Sequence, residues 1–215
     1  MCYPADGNRG EYIPQWTLWY WLEMGEYLDI RRGRRDFPRE FSGRLCRTLA
    51  WFEGHTNEFG LLEDLPGWNI IEWSKAQDYL SGVHFPTNML YCAVLRLAAG
   101  WLGEAHWRER ADAIANEIRS RSFNGRYFLD HAVRRDSALV AGEGISEIGQ
   151  YLADFCGIVD TAQDPWRQWR DGILRRPDPE VLAGVNMFVG RMLRFDRLRA
   201  GRGDEAGGAV PRGGG

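Results

Sequence analysis

Carboxylates recur beside aromatic and amide side chains in three stretches of this chain. The first, YPADGNRGEYIPQW, contains Asp6, Arg9, Glu11 and Trp16. The second, GWNIIEWSKAQDYLSGVHFPTN, contains Trp68, Asn69, Glu72, Trp73, Lys75, Asp78, Tyr79 and Asn88. The third, GEGISEIGQYLADF, sets Glu147, Gln150 and Asp154 at i, i+3 and i+7, a polar stripe on an otherwise apolar helix. Aromatic rings stack on the C–H face of a pyranose, while carboxylates and amides hydrogen-bond its hydroxyls. Paired carboxylates suit cleavage of a glycosidic bond. Glu72 and Glu147 are therefore expected as hydrolytic acid or base. Asp6, Glu11, Trp68, Trp73, Asp78, Asn88 and Gln150 are expected to bind the substrate.

Structural roles stand beside these. Trp16, Trp19, Trp21 and Trp101 recur at helical spacing and read as core. Glu147 suits the first turn of a helix, where a carboxylate favours the dipole. Asp6 and Glu11 suit loop amides. Other chemistries lack their signatures. GEGIS is not GxSxG, and neither GxGxxG nor a P-loop occurs. His55, His84, His106 and His131 have no ligand spacing, so no metal site is expected. Cys2, Cys46, Cys92 and Cys156 show no CxxC pairing and read as buried thiols of a reducing compartment.

The elements that must position these residues alternate in character. Gln15–Arg31, Met89–Trp101, Ile145–Val159 and Val185–Leu198 are apolar nearly all round, the pattern of a helix buried on every side. Between them lie amphipathic helices: Phe37, Phe41, Leu45, Leu49 and Phe52 form one stripe, Trp107, Ala111, Ile114 and Ile118 another, and Trp166, Trp169, Ile173 and Leu174 a third. Links after an inner helix are short and links before one are long. The long loops of such antiparallel hairpins emerge at one end, where loops carry function. Phe123–Val140 alternates like a small hairpin, and LLEDLPGWNIIEW suggests short strands. The fold class expected is all-α, a toroid of inner and outer helices with small β excursions.

The chain has 215 residues, 44% of them hydrophobic, with a net charge of -3, so no basic field favours nucleic acid or an anionic membrane. The start lacks a signal-peptide pattern, which makes the cytoplasm the expected location. Residues 1–200 are expected as one domain and 201–215 as a disordered Gly-rich tail.

Taken in order, YPADG with EYIPQWTLWYWLEMGEYL, GLLEDLPGWNIIEWSKA, GVHFPTNMLYCAVLRLAA, RSFNGRYFLDHAVRRD, SEIGQYLADFCGI and PEVLAGVNMFVGRMLRFDRL resemble stretches of bacterial α-L-rhamnosidase-like proteins of glycoside hydrolase family seventy-eight. The resemblance covers the chain to about Ala200. It implies an (α/α)6 barrel, the six-hairpin glycosidase toroid, and hydrolysis of terminal α-L-rhamnosides with inversion. No cofactor is needed, although some members are associated with calcium. The partner implied is a carbohydrate. The family's general-acid glutamate is expected upstream of the YPADG-like segment and its general base beyond the last inner helix, so both lie outside this chain. About seven helices also fall short of the twelve that close such a toroid, which needs well over ~250 residues. A weakly active or inactive fragment is the resulting expectation, with association through the open barrel flanks. A non-catalytic carbohydrate-binding or interaction module is the alternative.

Overall fold

In the computed structural model, residues 12–30, 39–174, 177–187 and 189–193 are described. Asp6, Glu11, Phe37, Cys2 and the 201–215 segment lie outside them. Six α-helices occur among the described residues: α1 (Pro14–Ile30), α2 (Arg39–Glu53), α3 (Phe85–Leu102), α4 (Ala105–Ser122), α5 (Glu147–Phe155) and the short α6 (Trp166–Trp169), which runs into a π-helical turn, Arg170–Leu174. Residues 189–193 are also helical. A 3₁₀ turn, Lys75–Tyr79, interrupts the long loop between α2 and α3.

The centre is α3. Phe85, Met89, Leu90, Tyr91, Cys92, Val94, Leu95 and Ala98 are all solvent-free, and α1, α4 and α5 pack against it. An apolar surface this continuous must be covered on most sides, as its sequence predicts. The helix starts where His84 Nδ1 accepts the amide of Thr87, with Pro86 in the first turn. It stops at Gly103, whose left-handed φ of 71° lets its N–H close on Ala99 O. The turn leads directly into α4, which buries Ala111, Ile114, Ala115 and Ile118 against α3. Helix α2 buries Leu45, Leu49 and Phe52 and leaves Arg44, Cys46 and Arg47 exposed. Cys46 thus departs from the buried-thiol expectation, because it falls off that stripe; Cys92 and Cys156 are buried.

Helix α1 leaves one stripe uncovered. Leu18, Trp21, Leu22 and Leu28 face the core, whereas Trp16 and Tyr27 are exposed, so the expected all-round burial is corrected. Trp19 and Trp101 are half-buried against the core.

Three short strands form an antiparallel sheet, β1 (Val83–His84), β2 (His131–Arg135) and β3 (Ala138–Ala141), in the order β1-β2-β3. The expected hairpin is present, turning through Asp136 and Ser137, both at positive φ. Strand β1 sits directly before α3, and its His84 pairs with His131. The run LLEDLPGWNIIEW forms no strand apart from a single bridge, Thr56 with Leu62. Side-chain amides, not a ladder, tie it down.

Candidate functional site

Loop 61–80 is built on Gln15, the second residue of α1. Gln15 Nε2 donates to Asn69 Oδ1 at 2.8 Å, and Gln15 Oε1 accepts the Ile70 amide at 3.3 Å. Asn69 Nδ2 closes the Leu65–Asn69 turn on Leu65 O at 2.6 Å, and Gln77 Nε2 bonds Asn69 O at 2.6 Å. The Trp68 amide donates to Tyr12 O at 3.0 Å. With Ile70 and Ile71 buried beneath, the two tryptophans between these anchors are turned outward. Trp68 is 54% and Trp73 67% exposed. They flank a cavity of about 340 Å³ that Ile70, Glu72, Ser74 and Gln77 also line. Two large apolar rings exposed on one loop, neither of them in the core cluster, form a candidate contact surface.

Glu72 lies behind these rings with no exposed surface. Its Oε1 accepts the amides of Trp73 (2.8 Å), Asn186 (3.0 Å) and Met187. Its Oε2 is buried without a partner, and a Cβ on Gly190 would stand 2.2 Å from it. Asn186 Nδ2 bonds Trp73 O at 3.1 Å. Glu147, in the first turn of α5, is 5% exposed and accepts the Tyr151 hydroxyl on Oε2 at 2.9 Å. Its amide donates to Ala183 O, and a Cβ on Gly184 would lie 3.9 Å from Oε1. Residues 183–187 therefore pass both carboxylates. The structure brings the two expected acid/base residues to one segment, yet turns neither toward open solvent.

Asn88 and Gln150, expected to bind substrate, instead hold loops. Asn88 Oδ1 accepts the Leu62 amide at 2.7 Å, and Nδ2 donates to Leu62 O (3.1 Å) and His84 O (3.0 Å). Gln150 repeats this on Phe128: Oε1 accepts its amide at 2.9 Å, and Nε2 donates to Phe128 O (2.8 Å) and Ser146 O (3.1 Å). Both are 0–1% exposed. The hydrogen-bonding capacity that suits these amides to a sugar's hydroxyls is here met by backbone. Asp78 lies exposed on the 3₁₀ turn.

One cluster was not singled out from the sequence. Asp130, with no exposed surface, accepts the Ser146 hydroxyl on Oδ1 at 2.9 Å and leaves Oδ2 buried and unpartnered. Burial lifts its carboxyl from 3.8 to about 7, against the opposing Ser146 hydrogen bonds. His84 Nδ1 accepts an amide, so the proton resides on Nε2, which is buried without an acceptor. Burial, with a smaller repulsion from His131, lowers His84 from 6.5 to about 3. His131 is lowered by burial and stacks on Tyr79, ring centroids 5.5 Å apart and 3° from parallel. Pairing of β1 with β2 joins these groups across a gap of 47 residues (131 − 84) in the chain, a neighbourhood no local spacing shows. Among the described residues no group of three or more His, Cys, Asp or Glu could hold a metal ion.

No protein-family model matches the chain, and no curated protein matches it. Among solved structures the chain is similar to a GH78 family rhamnosidase of Bacillus sp. GL1, with a TM-score of 0.71 and 23% sequence identity. The match covers 90% of this chain and 20% of that enzyme. The likeness is one of fold. It accounts for a helix-rich architecture with a small sheet, and this chain spans about a fifth of the enzyme's length.

No helix among the described residues is long and apolar enough to cross a membrane.

Proposed function

We propose that this chain is a sugar-binding section of a glycoside hydrolase of the α-L-rhamnosidase type, its helices forming part of an (α/α)6 toroid. The observation that carries the proposal is the outward pair Trp68 and Trp73 beside a cavity of about 340 Å³, with Glu72 behind them. The rings supply stacking surface for a pyranose, and Gln77 and Ser74 supply polar groups for its hydroxyls. The likeness in fold to a rhamnosidase and the motif order in the sequence both support a terminal α-L-rhamnoside as the sugar bound.

Inverting hydrolysis places an acid and a base roughly 6.5–9.5 Å apart, with room for a water between. Glu72 and Glu147 are the carboxylates available to such a step, and both are closed off by residues 183–187 and their partners. The chain by itself is therefore expected to bind sugar and to turn it over little or not at all. That favours the second reading, a module that binds without hydrolysing, for the isolated chain.

Titration with rhamnose, followed by tryptophan fluorescence, should give saturable binding that Trp73→Ala abolishes. Absence of any saturable change would remove the proposal. Robust release of the aryl alcohol from an aryl α-L-rhamnoside would overturn the non-hydrolysing reading, and release that survives both Glu72→Gln and Glu147→Gln would exclude those carboxylates from the chemistry.

A further inference from the structure

The long loops alone supply few cations, but the fold brings two from elsewhere. A groove of about 750 Å³ opens between the start of α1 and the last turns of α2, lined by Tyr12, Thr17, Arg44, Arg47, Thr48 and Trp51 among others. Arg44 and Arg47 are three residues apart on one exposed face of α2. Neither pairs with a carboxylate among the described residues, in contrast to Arg96, Arg110, Arg121 and Arg134. The aromatic floor is fixed: Trp51 meets Tyr12 edge to face at 5.3 Å and leans on Phe52 at 4.9 Å. Thr48 gives its proton to Arg44 O at 2.9 Å, which leaves its oxygen able to accept from a ligand hydroxyl.

The groove adjoins the tryptophan cavity. Tyr12 lines the groove with its ring and takes the Trp68 amide on its carbonyl. Gly67 packs so closely that a Cβ there would stand 2.6 Å from Tyr12 O. Tyr12 thus joins the loop that carries the two tryptophans to the groove that carries the two guanidinium groups.

We propose that this groove is a second sugar subsite, specific for a residue carrying a carboxylate, next to the neutral-sugar cavity at Trp68 and Trp73. The proposal rests on the sugar-binding reading above and extends it to an anionic glycan. Guanidinium groups bind carboxylates through paired, charge-assisted hydrogen bonds. The aromatic floor and a threonine oxygen complement the ring and the hydroxyls of the same residue.

The test compares a short oligogalacturonide with its methyl ester, identical chains that differ in the carboxylate charge. Both are titrated into the full chain while indole N–H resonances are followed by NMR. The acid should perturb Trp51, and Arg44→Gln and Arg47→Gln should each weaken its binding roughly tenfold. Added salt should weaken it further. The ester should perturb Trp68 and Trp73 with an affinity indifferent to both arginine changes. Equal binding of acid and ester, or an affinity for the acid unchanged in both variants, would overturn the subsite. Sedimentation showing a dimer that the same two substitutions dissociate would overturn it as well, by assigning the groove to a second copy. If the acid reads the arginines while rhamnose itself, titrated into the same samples, leaves Trp68 and Trp73 undisturbed, the subsite stands and the neutral cavity of the preceding proposal fails. Both arginines are exposed, so the variants are expected to fold, which circular dichroism checks.

Discussion

Asn88 and Glu72 are both polar, both without exposed surface, and both in the loop-rich end of the molecule, yet they do opposite things. Around Asn88, and again around Gln150, every donor and acceptor of the amide meets backbone, so each side chain acts as a strand-like partner for one loop residue. Around Glu72 the accounts stay open: Oε2 has no partner, and Trp68 and Trp73 stand in solvent on either side. Closed hydrogen bonding marks the scaffold, and the exposed rings that the loop carries are the surface proposed to meet a ligand. The scaffold is also repeated. His84 caps α3 four residues before Asn88, and Ser146 caps α5 four residues before Gln150.

The contrast can be broken most sharply at the clamps. Asn88→Ala and Gln150→Ala each remove hydrogen bonds to three buried backbone groups, at about 1–3 kcal/mol per group left unpaired. We expect each to lose several kcal/mol in urea denaturation, and a loss below about 1 kcal/mol would show that the clamps are dispensable. Gly190→Ala comes next. Its Cβ would overlap Glu72 Oε2 and lie 2.9 Å from Val185, so about 1–3 kcal/mol should be lost as these contacts give way. Unchanged stability there would mean that Glu72 is not caged.

A smaller effect separates the buried acid from the buried base. The folded state keeps a proton on Asp130 up to about pH 7, whereas the unfolded chain releases it near 3.8, so its contribution to stability falls as pH rises through that window. His84 has the opposite sign: held neutral to about pH 3 when folded and protonated below 6.5 when unfolded, it makes stability rise with pH. The two slopes oppose each other between about pH 4 and 6.5. Asp130→Asn should unmask the histidine, giving stability that climbs by at most about 1.4 kcal/mol per pH unit across that range. A flat profile in the variant would contradict the assignment. Trp73→Ala should have the smallest effect on stability, within about 0.5 kcal/mol, because the ring is largely in water.

Much of this was legible in the chain. The alternation of apolar and amphipathic segments located α1 to α5, since burial on all sides or one is written in the spacing of Met89–Trp101 and of Ala111, Ile114 and Ile118. The exposure of Trp68 and Trp73 was legible only in part: Pro66, Gly67 and polar neighbours argue against a core position, while an aromatic ring by itself suits core and surface alike. The roles of Asn88 and Gln150 were not, because a buried amide reads the same whether its partner is a sugar or the backbone of Leu62. LLEDLPGWNIIEW misled by composition: its short apolar pairs suit strands, but Gln15, Asn69 and Gln77 supply the hydrogen bonds that a ladder would have made. The Asp130–His84 neighbourhood depends on pairing of distant strands, which no local pattern encodes.

The central claim is that the open loop, not the closed clamps, meets the sugar. The most direct measurement is an NMR titration of the intact chain with a rhamnoside, following the indole N–H of Trp68 and Trp73 together with the side-chain amides of Asn88 and Gln150. The account predicts saturable shifts of both indoles, with the two amides unmoved. Saturable shifts of the Asn88 and Gln150 amides with still indoles would contradict it.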